Sequence, residues 1–225
     1  YSKIVGPIQQ LTGAASRIAK GELNTPIAYS SENEIGELAK SIKQMARELN
    51  EYFEYIHAQA FTDAMTGVGN KAAYLDAIRK IDRKIIEHMA DFGIVVFDIN
   101  GLKRVNDNMG HEFGDKLISD AASVMKLVYG AEKVFRVGGD EFTVIVEGVE
   151  SSDMDLYFDK FNLKLEEFNM GYRKYDMKLA ISKGYAIYDR LRDGDFQAVF
   201  KRADEAMYAD KERFYSGNND RRRGR

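Results

Sequence analysis

The chain has 225 residues, 44% of them hydrophobic and 12% aromatic, with a formal net charge of −3. That apolar content supports one or two packed domains and excludes global disorder. The slightly acidic balance argues against a nucleic-acid partner. The absence of cysteine rules out disulfides and thiolate metal sites and fits a reducing compartment.

No apolar run approaches the ~18 residues that a membrane helix requires. The longest, Phe92 to Phe97, has the length of a buried strand. No signal peptide is visible, and the chain begins at Tyr1 rather than Met, so we expect a fragment of a longer protein.

Residues 1–60 differ in kind from the remainder. Ile4, Ile8, Leu11, Ala15 and Ile18 recur at spacings of four and three, until Gly21 breaks the pattern. A polar connector runs to Glu32. The period returns with Ile35, Leu38, Ile42, Met45, Leu49, Tyr52 and Ile56, interleaved with Glu, Lys and Arg. A sustained three-four alternation specifies a coiled-coil seam. The alternative is one amphipathic helix packed on the neighbouring domain, which calls for a wider apolar stripe.

Two short heptad helices with such a connector resemble a HAMP domain. The matching details are Pro7 in the first helix, Gly21-Glu22-Leu23 at its end, and Asn33-Glu34-Ile35-Gly36 opening the second. The resemblance implies a parallel dimeric four-helix bundle close to a membrane helix. It therefore implies a membrane-anchored parent with this part on the cytoplasmic side of the bacterial inner membrane.

Residues 63–213 alternate helical and strand patterns. Helices are expected over Asn70–Met89, from near Gly114 to Tyr129, over Asp153–Phe168 and over Ala198–Arg213. Strands are expected over Phe92–Ile99, on either side of Gly138-Gly139, and over Met177–Tyr188. The fold class is α/β (α+β), with a mixed central sheet flanked by helices. The tail Arg221-Arg222-Arg223-Gly224-Arg225 follows a polar stretch and reads as a frayed terminus.

Gly138-Gly139-Asp140-Glu141-Phe142, set between two β-prone runs, reads as a hairpin. Glycine tolerates the positive φ of a tight two-residue turn. A turn that presents two acids beside bare backbone suits a hard cation and a polyphosphate. A second cluster runs from Asp98 to Asp115. Asp98 ends an apolar strand, where an acid is either a helix N-cap or a functional group. The polar density that follows it is more than a cap accounts for.

Together the clusters resemble the GGDEF family, the diguanylate cyclases. The hairpin carries that family's signature. Asp98, Lys103, Asn106, Asp107, Gly110, His111, Gly114 and Asp115 fall on its strand-end motif. Asp63, Thr66, Gly67 and Asn70 match its opening motif, and Ala203-Asp204, Ala206-Met207-Tyr208 and Lys211 match its C-terminal helix. The resemblance implies condensation of two GTP into cyclic di-GMP across a homodimer held by the coiled coil. It implies two Mg²⁺ (or Mn²⁺) per half-site, bound by Asp98, Asp140 and the Ile99 carbonyl. Glu141 is implied as second-metal ligand or proton acceptor, with Asp98 and Asp140 as its catalytic partners. Asn106 and Asp115 would read guanine, because a carboxylate accepts from N1–H and the 2-amino group. Lys103, Lys211 and the Gly138-Gly139 backbone would hold the triphosphate. For Asn106 and Asp107 a plain turn, and for Lys211 a solvated helix face, remain open readings. His111 reads as a helix-start or packing residue, since no second His or Cys stands near it in sequence.

Three departures stand out. Asn100 occupies the place of a second Asp. Phe214 and Tyr215 follow Lys211 where the family has Gly and a basic residue. Tyr129 and Glu132 replace the Arg-x-x-Asp of the family's inhibitory site, so no such site is expected. The expected organisation is a HAMP domain over 1–53, a signalling-helix linker over 54–62, the cyclase domain over 63–215 and a disordered basic tail over 216–225. The competing reading is an inactive GGDEF domain that binds GTP or a dinucleotide as a signalling module.

Overall fold

The computed structural model describes residues 2–171 and 178–223 and divides into two compact units, residues 1–60 and 61–225. In the first unit, α1 (Ser2–Ala19) and α2 (Glu34–Phe61) are joined by the connector. Gly21, at φ +95°, ends α1 in a Schellman motif. Its N–H donates to the Ile18 carbonyl and that of Glu22 to the Arg17 carbonyl. Asn33 caps α2 by accepting from the Gly36 N–H at 3.0 Å. Residue 36 must be glycine, because a Cβ there would lie 1.8 Å from the Ser31 carbonyl oxygen.

Leu11, Ala14, Ile18 and Ile27 pack against Ala39 and Ala46, with Ile35 and Ile42 alongside. The apolar stripe of α2 is thus wider than the seam read from sequence. The alanines, too small to register as heptad knobs, form the buried contact. Leu38, Met45, Leu49, Tyr52 and Ile56 of that seam are exposed within the unit.

In the second unit, β1 (Phe92–Ile99) is central to a four-stranded sheet with β2 (Val134–Arg136), β3 (Glu141–Glu147) and β4 (Ile181–Ile187), ordered β2-β3-β1-β4. All the strand pairs are antiparallel. The sheet is therefore not mixed; a parallel relation occurs at the isolated bridge of Gly69 with Phe135. Side chains of β1 alternate between two cores. Val95, Phe97 and Ile99 face α5 (His111–Tyr129) and α6 (Ser151–Gly171). Phe92, Ile94 and Val96 face α3 (Lys71–Ile86) and α7 (Phe196–Arg223).

The expected strand over Phe92–Ile99 is present with those bounds. A helix absent from the sequence reading, α4 (Leu102–Met109), precedes α5. Asn106 and Asp107 lie within it rather than in a turn. Gly101 (φ +76°) and Gly110 (φ +91°) bound it in conformations that favour glycine. The hairpin is also different: β2 ends at Arg136 and β3 begins at Glu141, so the loop is longer than a two-residue turn. Neither Gly138 nor Gly139 takes a positive φ. Helix α7 continues to Arg223, so the backbone expected to fray after residue 215 is helical to that point. Extending a helix already nucleated by its packed half costs little per residue. Met177, the expected start of the last strand, lies outside the described residues.

Candidate active site

Strand β1, in which Asp98 is the next-to-last residue, is buried throughout. Antiparallel pairing sets Asp98 opposite Glu141 of β3 on one side and Ser182 of β4 on the other. Directly opposed residues share a face, and for Asp98 and Glu141 it is the face covered by α7. Asp140 is held beside them because the Ile99 N–H donates to its carbonyl at 3.1 Å. Asp98 is 6% exposed, Asp140 half-buried and Glu141 exposed. The β1–β3 pairing and the Ile99 contact thus gather three acids from two separate motifs at one end of the sheet.

Lys211 of α7 meets Asp98 there, with Nζ 2.7 Å from Oδ2. Burial pulls the lysine pKa down, but the hydrogen bond and charge of Asp98, with smaller contributions from Tyr215 and Asp140, outweigh it and raise the pKa. The other carboxylate oxygen, Oδ1, is buried without a hydrogen-bond partner. An unsatisfied buried carboxylate oxygen is costly, and a hard cation would satisfy it. Among the described residues, no group of three His or acidic side chains is close enough to hold a metal ion. Asp98 and Asp140 offer the few carboxylate oxygens that a hard divalent cation takes when phosphate oxygens complete its shell. Asn100, in place of a second acid, is buried and hydrogen-bonded to the Ser182 hydroxyl at 2.8 and 3.0 Å.

The second part of the site lies between α4 and α5. Asn106 Oδ1 is buried without a partner, and a Cβ on Gly114 would stand 1.9 Å from it. Gly114 is thus the space that admits the Asn106 side chain. Asp115, next to it on α5, is exposed, and Lys103 is exposed on α4. Helices α4 and α5 set Asn106 against Gly114, with Asp115 the next residue along α5. His111 opens α5 and is exposed.

The glycines of the hairpin have no conformational requirement within the chain. A Cβ on Gly139 meets nothing within 4 Å, and one on Gly138 meets the mobile end of Glu141. Bare backbone at both positions leaves room for a closely approaching ligand.

Arg136, which no local sequence pattern singles out, braces the hairpin loop. Its guanidinium donates to the Gly139 carbonyl at 2.8 and 3.3 Å and to Asp63 at 3.3 and 3.4 Å. Asp63 also accepts from the Thr66 N–H at 3.0 Å and the Thr66 hydroxyl at 2.6 Å. Burial raises the Asp63 pKa, but Thr66 and then Arg136 outweigh it and hold the carboxyl below its ordinary value. The opening motif and the hairpin loop are thereby tied through one arginine, across a separation in sequence that no local pattern reveals.

At the position of the absent inhibitory arginine, Tyr129 is 3% exposed and stacked on Tyr157 at 5.4 Å. Burial, then the neighbouring Tyr157, raises its pKa. Glu132 is exposed. Phe214 and Tyr215 pack edge to face at 5.2 Å.

Comparison with known proteins identifies the families of both regions. The family model described as "Diguanylate cyclase, GGDEF domain" matches residues 60–216, and the HAMP domain model matches residues 1–51. Diguanylate cyclase DgcP of Pseudomonas aeruginosa is 27% identical over 78% of the chain and 26% of its own length. Probable diguanylate cyclase DgcF of Escherichia coli K12 is 30% identical over 72% of the chain and 52% of its own length. The chain thus spans about a quarter to about half the length of these curated relatives. The crystal structure of the coiled coil and GGDEF domain of DgcB from Caulobacter crescentus, in complex with c-di-GMP, is also similar. It matches at a TM-score of 0.64 and 28% identity, over 78% of this chain and 93% of that one.

Proposed function

The chain belongs to the GGDEF family of diguanylate cyclases, with a HAMP domain ahead of the GGDEF domain, and from that premise we propose that it condenses two GTP into cyclic di-GMP and two pyrophosphates. The observation that carries the reading is the meeting of Asp98, Asp140, Glu141 and Lys211 at one end of the sheet.

In this reading Asp98 and Asp140, with the Ile99 carbonyl, hold the divalent cations. When bound, Mg²⁺ supplies charge neutralisation at the α-phosphate and a lower pKa for the attacking 3′-hydroxyl. Glu141 is a second-metal ligand or the acceptor of the hydroxyl proton. Lys103 and Lys211 neutralise the triphosphate, and the Gly138-Gly139 backbone lets it approach. Asn106 and Asp115 read guanine; adenine lacks the N1–H and 2-amino donors and would leave Asp115 unpaired. Each domain holds one GTP, and two copies must face each other so that each 3′-oxygen attacks the other's α-phosphorus as pyrophosphate leaves. Activity is then a property of a homodimer, and the problem for the protein is positioning.

The exposed seam residues Leu38, Met45, Leu49, Tyr52 and Ile56 support dimerisation through α2. HAMP rearrangement would control how the half-sites meet. A HAMP domain also fits a membrane-associated sensor, with this part on the cytoplasmic side. Among the described residues no helix is long and apolar enough to cross a membrane.

The test is incubation with GTP and Mg²⁺ and identification of the product, with Asp140→Ala as the inactive control. The competing reading, an inactive module that binds GTP or a dinucleotide, draws on Phe214 and Tyr215 where a phosphate-binding cation is expected. Binding of GTP without turnover would select it.

A further inference from the structure

The contact between Lys211 and Asp98 sets a fixed partner against a movable one. Asp98 is held by backbone pairing on both sides, and its side chain is 8% exposed. It cannot retreat to water. The Lys211 side chain reaches in from α7, is 32% exposed, and can swing towards solvent on its flexible stem. Its Nζ engages Oδ2, while the partnerless Oδ1 of the same carboxylate lies buried beside it. A divalent cation that takes Asp98 therefore meets an ammonium already bound to the same group.

We propose that Lys211 is the resident counterion of the metal subsite, and that metal and lysine exchange on Asp98. This rests on the reading of Asp98 as a metal ligand. The exchange makes the metal and the nucleotide bind in concert. A cation arriving alone must expel Lys211 into solvent and then bear its repulsion. A cation arriving with a triphosphate supplies anionic oxygens to receive the displaced ammonium, whose stem is long enough to turn from one to the other. Lys211 thus opposes metal binding without nucleotide and favours it with nucleotide, so that the subsite is not filled by free cation. The exchange is a change of ionic partners, with no bond formed or broken and no proton moved.

The test is a titration of the whole chain with Mn²⁺, followed by the electron paramagnetic resonance of the free ion. Without nucleotide, Lys211→Met should bind Mn²⁺ at least about tenfold more tightly than the parent, because like charges a few ångström apart repel by that order even when partly solvated. Lys211→Gln is the second variant should methionine disturb folding, with circular dichroism checking both. Lys211→Arg, which keeps the charge, should stay weak. Adding Asp98→Asn to Lys211→Met should remove the gain. With a non-hydrolysable GTP analogue present the order should reverse, the parent binding Mn²⁺ more tightly than Lys211→Met. Unchanged or weaker Mn²⁺ binding by the folded Met and Gln variants, without nucleotide, overturns the proposal. If those variants gain Mn²⁺ affinity while the parent makes no cyclic product from GTP, the exchange stands and the cyclase reading falls.

Discussion

Gly114 exists to make room for Asn106: a Cβ at 114 would lie 1.9 Å from the Asn106 Oδ1 atom. The two residues come from adjacent helices, and the amide oxygen they frame is buried without a partner. Gly114→Ala should displace the amide and raise the KM for GTP about tenfold or more, the worth of one good hydrogen bond to the base. The fold should survive, since the clash is with the end of a side chain. Steady-state kinetics beside a thermal melt checks this; an unchanged KM would remove Asn106 from the guanine site. Asp115→Ala should narrow the preference for GTP over ATP, and equal turnover of both by the parent protein would refute the role of Asp115.

Arg136 offers a test of whether the hairpin loop must be held. Arg136→Lys loses the paired N–H contacts to Gly139 and the reach to Asp63, because a lysine has no planar fork. The expected result is a kcat lower by at least about tenfold with KM little changed, since the loss is of positioning rather than of binding. A parallel change in KM would place Arg136 among the substrate contacts instead.

The same latch gives a pH dependence whose sign is fixed by Asp63. Its folded pKa lies below the ordinary value of 3.8, so the ionised form is favoured by folding. The stabilisation is present above that value and is lost as pH falls through the lowered folded pKa. Asp63→Asn should lose about 1–2 kcal/mol at neutral pH, somewhat less than the roughly 1.5–3 kcal/mol of a hydrogen bond to a charged group, because the amide oxygen still accepts. Its stability should also fall less steeply than the parent's below about pH 4. Urea unfolding at neutral and acidic pH measures both; parallel curves would show that Asp63 does not contribute through its charge.

What the sequence reveals of this site depends on how local each signal is. Phe92–Ile99 is a continuous apolar run and folds as the buried strand its length implies. Asp98, Asp140 and Glu141 were legible because each sits beside a strong local pattern. Helix α4 was not, since it is short and polar and only Val105 of it is buried. Gly138 and Gly139 stand out in the sequence for a positive φ that neither takes. Arg136 and Asp63 form a pair only in three dimensions. The alanine contacts of α2 were invisible to a pattern that counts large apolar side chains.

Gly184 tests the crossing of β4 and α7, which carries Lys211 to Asp98. A Cβ at 184 would stand 2.1 Å from the Met207 backbone nitrogen and 2.4 Å from the Ala203 carbonyl oxygen. Backbone cannot rotate away as a side chain can, so Gly184→Ala should destabilise the protein by about 3 kcal/mol, the upper part of the range for overpacking. Chemical denaturation measures it. A loss below about 1 kcal/mol would mean that α7 rides over the strand more loosely than the close approach implies.

The position of Tyr129 leads to a prediction about regulation. A ligand-binding arginine would need to reach solvent, yet residue 129 is buried against Tyr157, Phe97 and Phe161. Glu132, the other position of the strip, is exposed and is itself an acid, which cannot pair a phosphate. Cyclic di-GMP should therefore not inhibit turnover through this strip. Initial rates across a product series should stay flat once competition at the substrate site is allowed for. Inhibition at low micromolar product that Glu132→Ala abolishes would overturn this.

Control through α2 makes a separate demand. Leu49 and Ile56 are exposed within their unit, at 45% and 48%, and so are available to a second copy. Charged residues at a seam position oppose association, because burying an unpaired charge is expensive. Leu49→Asp with Ile56→Asp should leave each unit folded, since neither residue belongs to the α1–α2 core. It should shift the protein towards monomer in sedimentation and lower turnover in step with the lost dimer. Raising the protein concentration should restore part of the activity, as mass action returns the half-sites to each other. Full turnover by a demonstrated monomer would show that the seam does not bring the half-sites together.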